Sequence, residues 1–515
     1  MSSGDDQPSG TPLALHGAAL VIGVMVLSSA NFMAVLDINI VNVAIPYIAG
    51  GLAVSPDEAT WVITSYAVAE AIVVPLTGWL ASRFGTVQVF IVGVIGFGIA
   101  SVLCGISTSF PMLLTFRVIQ GMMGAPLIPA SQTLVMRISP PDKQNMTLGL
   151  WSMSTIAGPV AGPWLGGLLA DGAGWRWAFY LNAPLVVFCA VLAWRTMRSK
   201  ETPIARTPID FVGLALLVVW VGALQILLDN GQKYDWFQSS FILASGLIAG
   251  ISFLAFVAWE LTDKNPIVNL RIFHDRTFAV AVLVLFLALG GFAAMLIIIP
   301  LWLQTNLGYT ATSAGEIIAL TAVLGMVSAP IVGKLMGKVD PRALICVGVL
   351  IMSAACFYRT GFNQDMTFRQ LIPGQLAFGL SLPFWFLPIM SLTVSTVKPE
   401  ETAAAAGLSN FMRTLATAVS VAIATTYWLD DATRSQATLV GELHRPQALI
   451  GTFEQAGRTH PQALQALDNL VQSQAVMLST NHWCFTVGVV LAITACLVWL
   501  MPKTNVALQA TAQSH

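Results

Sequence analysis

Residues 113–130 read LLTFRVIQGMMGAPLIPA: eighteen positions, apolar enough to lie in a membrane, with one charge, Arg117. An arginine at bilayer depth costs roughly 2.5–3.5 kcal/mol on insertion scales, so it must face the protein interior and find a partner. Two earlier apolar stretches offer a carboxylate: Asp37 in the first and Glu70 in the second. Three titratable groups in one bundle half exceed what packing needs, which makes them candidates for proton handling.

Composition sets the class. Of 515 residues, 56% are hydrophobic and 10% charged, against about 25% charged in soluble domains. Apolar stretches recur from residue 17 to residue 501, so the chain reads as an all-α polytopic membrane protein whose partners include the lipid bilayer. The net charge of −1 argues against nucleic acid. The six cysteines fall in apolar stretches without a C-x-x-C, which fits small buried residues better than a metal site or disulfide framework. The first residues hold two aspartates and no Lys or Arg, which is unlike a signal peptide. No H-E-x-x-H or paired-aspartate signature suggests an enzyme, and no metal or cofactor is called for.

Segments of ~20 apolar residues between Gly, Pro and charge breaks give fourteen spans. They run 17–46, 58–82, 86–107, 110–137, 143–170, 176–196, 210–229, 239–260, 277–305, 311–336, 342–361, 369–396, 401–428 and 482–501. With the N-terminus placed in the cytoplasm, fifteen Lys and Arg fall inside. Seven, Arg359 among them, fall outside, and Arg117 and Arg413 lie within spans. This bias places both ends in the cytoplasm. The organisation follows: a tail over 1–16; a six-helix bundle over 17–196; a basic connector, two inserted helices and a linker over 197–276; a second six-helix bundle over 277–501 containing an outer loop at 429–481; and a tail over 502–515. Within that loop, Leu464, Leu467, Leu470 and Met477 recur at helical spacing, predicting an amphipathic helix over 461–478.

The two bundles echo each other. Gly78-x-Leu80-x-x-Arg83 returns as Gly333-x-Leu335-x-x-Lys338. Arg117-x-x-x-Gly121 followed by Pro126 and Pro129 returns as Gln375-x-x-x-Gly379 followed by Pro383 and Pro388, 258 positions later. Near-equal offsets point to a duplicated bundle. Where the first copy has Arg117, the second has Gln375, so charge handling is assigned to the N-terminal bundle.

These residues resemble the major facilitator superfamily, and within it the fourteen-helix drug:proton antiporters of the EmrB type. The resemblance rests on LDINIVNVAIP at 36–46, WVITSY at 61–66, PLTGWL at 75–80, RVIQG at 117–121, GPVAGPWLGG at 158–167, WRWAFYLNAP at 175–184, WELTDKNPIV at 259–268 and LSNFMRTL at 408–415. It implies a fold of two six-helix bundles plus two inserted helices. It also implies proton-driven efflux of small hydrophobic drugs across a bacterial inner membrane, energised by the proton gradient without a cofactor. A periplasmic adaptor and an outer-membrane channel would complete a tripartite pump. Asp37, Glu70 and Arg117 would couple the proton. Gly158-Pro159 and Gly162-Pro163 would break the fifth helix, and Gly166-Gly167 would let a neighbour approach. Gly78, Arg83 and Gly85 occupy the loop that controls opening between bundles, but Ser82 replaces its usual acid and Thr86-Val87 its basic pair, so a charge latch is not expected there. The substrate site, at the midplane between bundles, would be lined by Tyr66, Trp151, Met153, Trp302, Gln304, Phe384, Trp385, Phe386, Asn410, Phe411 and Arg413. The same residues suit a narrow-substrate exporter for a fatty acid, a siderophore or a host-made antibiotic.

Overall fold

The computed structural model describes residues 14–503 except 202–203, 205–207, 265, 310, 337, 396, 398–400 and 444–445. Most of both tails and part of the basic connector lie outside the described residues. Every long element is a helix: α1 (Gly17–Leu52), α2 (Trp61–Phe84), α3 (Thr86–Gly105), α4 (Phe110–Ile138), α5 (Gln144–Gly172), α6 (Trp177–Met197), α7 (Phe211–Asn230), α8 (Ser240–Thr262), α9 (Arg276–Asn306), α10 (Ala311–Leu335), α11 (Pro341–Arg359), α12 (Phe368–Ser395), α13 (Thr402–Glu442) and α14 (His460–Leu497). Among the described residues, twelve helices are long and apolar enough to cross a membrane. The remaining two of the fourteen spans read from sequence are α5 and α13, helices of 29 and 41 residues. A helix satisfies all its backbone groups internally, the requirement of any segment that crosses lipid.

In the first half α1 packs along α5 and α6, α2 along α4, and α3 against α4 and α6. In the second half α12 lies between α10 and α11, and α13 and α14 pack on each other and on α9. The inserted helices α7 and α8 pack as a pair, and α7 lies against both α2 and α13. The halves meet through α5 on α10 and through the last turns of α2 and α4 on α13. All six cysteines are free, and Cys496 is exposed rather than buried.

Three expectations change. First, α5 is one continuous helix despite Pro159 and Pro163. Its glycines serve packing instead. A Cβ on Gly158 would stand 2.5 Å from Val35, one on Gly162 would overlap Asn39, and one on Gly166 would press Ile40 at 3.0 Å. This four-residue ladder lets α1 and α5 touch backbone to backbone. Gly167 faces open space and takes no part. Second, residues 429–481 are not a loop. α13 continues to Glu442, a short helix spans Pro446–Gln455, and the amphipathic stretch is the start of α14. Polar sequence ended the hydropathy signal but not the helix. Third, Arg359 is not an outer surface residue: it is 1% exposed, buried between α11 and α12.

Candidate functional site

Asp37 sits in the middle of α1, fully buried, as are Arg117 and Gln120 of α4. Its carboxylate receives three hydrogen bonds. Arg117 Nη1 donates to Oδ2 at 2.7 Å, while Gln120 Nε2 at 3.0 Å and Asn182 Nδ2 at 2.7 Å donate to Oδ1. Arg117 is itself held by Val62 O on α2 (3.0 Å from Nε) and by Gln120 Oε1 (2.8 Å from Nη1). Its guanidinium lies 4.3 Å from the Tyr66 ring centroid and 5.7 Å from that of Phe179. Asn182 also donates to Ser101 Oγ at 3.0 Å, and Ser101 donates to Phe179 O at 2.8 Å. The close approach of α4 to α2 needs a glycine: a Cβ on Gly121 would stand 2.5 Å from Tyr66 O. Two helices, α4 and α6, thus meet the α1 carboxylate with donors only, braced by α2 and α3 behind them, which suits its ionised form, since a carboxylate accepts and cannot donate.

Glu70, 7% exposed on α2, stands outside this hydrogen-bonded group. The charges that act on it are Arg413 of α13 first, then Arg117 and Asp37. The site is therefore a bonded group of four, Asp37, Arg117, Gln120 and Asn182, beside a second acid under the influence of a cation from the other half.

The candidate lining residues divide. Tyr66 packs under Arg117. Trp151 donates to Ser131 Oγ at 3.0 Å, and Met153 packs with Phe384 in a cluster that joins the halves. Asn410 donates to Gln132 Oε1 at 2.9 Å, and Gln132 reaches Met390 O at 3.4 Å, tying α13, α4 and α12 together. Phe411 meets Trp220 of α7 edge-on at 5.7 Å. Trp385 and Phe386 pack against each other in the core of the second half. Trp302 stacks on Phe362 at 5.8 Å near the C-terminal end of α9, and Gln304 is exposed and donates to its own helix at Pro300 O; neither shares a hydrogen bond with the Asp37 group.

The loop motifs lie where the halves touch. A Cβ on Gly78 would stand 2.5 Å from the Ala404 backbone of α13, and one on Gly333 would stand 3.3 Å from Asn145 O of α5. The repeated glycines thus serve the same close crossing from opposite sides. Gly85, at φ +89°, opens α3. The connector caps this loop: the Glu201 carboxylate accepts from Val87 N at 2.9 Å and Gln88 N at 2.8 Å, at the positive end of α3. Arg83 follows in the last turn of α2. In the second half Asp340 caps α11, and hydrogen bonds from Arg342 hold its carboxyl below the usual carboxylate range.

Gln120, Asn182, Ser101, Glu201 and Arg359 escaped the sequence reading. Gln120 and Asn182 stand inside quoted motifs, and a buried amide beside a buried charge was the signal available.

Fourteen-odd helices in two repeated bundles, with a buried carboxylate–guanidinium site in one, define a multi-pass membrane transporter. The chain belongs to the major facilitator superfamily, whose family model matches residues 27–421. Within it the chain stands with EmrB-type proteins. It is 41% identical to the multidrug export protein EmrB of Escherichia coli strain K12, over 94% of this chain and 96% of that one. It is 38% identical to the fatty acid resistance protein FarB of Neisseria gonorrhoeae, over 94% and 97%. Solved structures share the fold. A double-tryptophan mutant of XylE gives a TM-score of 0.62 at 14% identity, covering 96% of this chain and 98% of that one. The human organic anion transporter MFSD10 gives 0.59 at 14%, covering 92% and 100%.

Proposed function

We propose that the protein exports hydrophobic and amphipathic drugs across the bacterial inner membrane, in exchange for protons, by alternating access. The observation that carries this reading is the Asp37 carboxylate, buried and surrounded by three donors. Protonation gives it an O–H that needs an acceptor, whereas its three present partners all turn N–H groups toward it. Rotation of the Gln120 amide would turn Oε1 toward Asp37 and release Arg117 from its acceptor there. Gaining or losing one proton therefore forces α1, α4 and α6 to choose between two hydrogen-bond patterns. A two-state carrier needs such a bistable element. Substrate and proton would compete at Glu70, where an organic cation stabilises the charged form and a proton replaces it.

The relatives' names support drug export, and both chain ends are placed in the cytoplasm by the charge bias. The packed crossings at Gly78 and Gly333 lie at the end of the bundle holding the termini, which supports reading this arrangement as the one with its cytoplasmic side closed. A tripartite assembly with a periplasmic adaptor and an outer-membrane channel is part of the proposal. α13 is about 60 Å long at 1.5 Å per residue, twice the roughly 30 Å hydrocarbon core. It and α14 thus carry exposed Val440, Leu464 and Leu470 beyond the membrane, as an adaptor would require.

The name of FarB favours a second reading, a narrow fatty acid exporter. A susceptibility panel in a pump-deleted strain separates them: parent protein protects against several unrelated drugs, and Glu70→Gln loses protection against cationic ones first. Protection against fatty acids alone would select the second reading.

A further inference from the structure

A polar contact is buried inside the seam between the halves, near the end of the bundle that holds the chain termini. Gln132 of α4 crosses that seam. Its Oε1 accepts from Asn410 Nδ2 of α13 at 2.9 Å, and its Nε2 reaches Met390 O of α12 at 3.4 Å. Gln132, Met390 and Asn410 are buried and stand within about two turns of the inner ends of their helices. Met390 is the position 258 after Gln132, the same offset that carries Arg117 onto Gln375. A residue that touches its own repeat equivalent lies at the internal two-fold axis. The glycine crossings flank that axis as a matched pair. Gly78 packs on Ala404, while Gly333 packs on Asn145 and Met146, and Met146 stands 258 positions before Ala404. The flanks of the seam are thus backbone against backbone, and its centre is an amide pair.

Small residues alone can close such a seam, so amides at its centre need another reason. Asn410 Nδ2 also donates to Ala406 O of its own helix at 2.8 Å, but its Oδ1 is buried with no donor among the described residues. A buried acceptor without a donor raises the free energy of the closed arrangement, and an amide–amide bond adds little net stability because water replaces it on opening. An apolar plug of the same size would instead expose its whole buried area to water. We propose that Gln132 and Asn410 are the inner gate: their bond on the axis holds the cytoplasmic side shut, and the unpaired Asn410 oxygen lets water open it. This rests on the alternating-access reading above and adds to it the contact that must break. Asn410 then serves the seam and not the drug site, and both amides are positioning residues.

A distance across the seam tests it. In a variant without the six native cysteines, Lys143→Cys and Lys338→Cys place spin labels at exposed positions on opposite halves, close in sequence to Asn145 and Gly333 of one crossing. The parent should show a short and a long separation whose ratio moves with pH. Gln132→Met leaves the Asn410 amide facing a thioether, and Asn410→Leu leaves Gln132 Oε1 without its donor. Each should raise the long population relative to the short about tenfold. Combined, the two changes make the contact apolar, and the double variant should fall below the parent by about tenfold. Either single variant carries the test where the other does not fold. Ratios unchanged from the parent overturn the gate. So do single and double variants that all move in one direction, since the pair would then be packing only. A parent with one separation at every pH, with and without drug, instead overturns the alternating-access reading, and the gate with it.

Discussion

The two halves are built on one plan but charged differently. In the first, Asp37 and Arg117 form a buried pair at 2.7 Å, completed by Gln120 and Asn182. In the second, the position 258 after Asp37 is Met295, that after Arg117 is Gln375, and that after Ser101 is Arg359. Arg359 is equally buried, yet its partners are neutral: Gln375 Oε1 at 2.6 Å, Gly374 O at 3.3 Å and the Phe378 ring at 4.4 Å. The cation has moved by one helix and the carboxylate has gone. A guanidinium keeps its proton at any accessible pH, whereas a carboxylate does not. One half can therefore change its charge during a cycle, and the other holds a fixed charge.

The comparison can be broken by removing each cation. Arg117→Leu strands the Asp37 carboxylate and should cost roughly 3–5 kcal/mol, read as a fall in thermal unfolding temperature in detergent. A cost near zero would mean that Asp37 is already protonated. Packing, unlike charge, should prove symmetric. α1 meets α5 through Gly162 on Asn39, and α9 meets α13 through Gly290 on Ser420. Gly162→Leu and Gly290→Leu should each cost about 1–3 kcal/mol, and a much larger cost in one half would show that the halves are not equally tight. The smallest effect belongs to Arg359→Met. It removes a buried cation that leaves no carboxylate behind, so stability should change by no more than about 1 kcal/mol or rise. A loss matching Arg117→Leu would reveal an anion paired with Arg359.

Much of this contrast was readable in the chain. Arg117 in an apolar stretch demanded a carboxylate, and only Asp37 and Glu70 were at hand. The Gly78 and Gly333 echo points in the sequence to a duplicated bundle, and in the structure each glycine packs against the opposite half. What stayed hidden has physical causes. Gln120 and Asn182 are neutral, so they barely disturb hydropathy while supplying two of three donors to Asp37. Arg359 ends its helix, where a charge normally reaches water, and only the fold shows that α12 covers it. Helix propensity outlasts apolarity in α13 and α14, so the hydropathy of 429–481 marks the end of the apolar span and not the end of the helix. Proline was expected to break α5, but the glycine ladder against α1 fixes the helix, and Pro costs one internal hydrogen bond that membrane helices tolerate.

The central claim is that Asp37 binds and releases the transported proton. Proteoliposomes containing Asp37→Asn test it most directly, with drug flux measured under an imposed pH gradient and, separately, as drug–drug exchange at equal pH. The account predicts gradient-driven flux reduced at least about a hundredfold while exchange persists, because the carrier still alternates. Gradient-driven flux at the parent rate would contradict it.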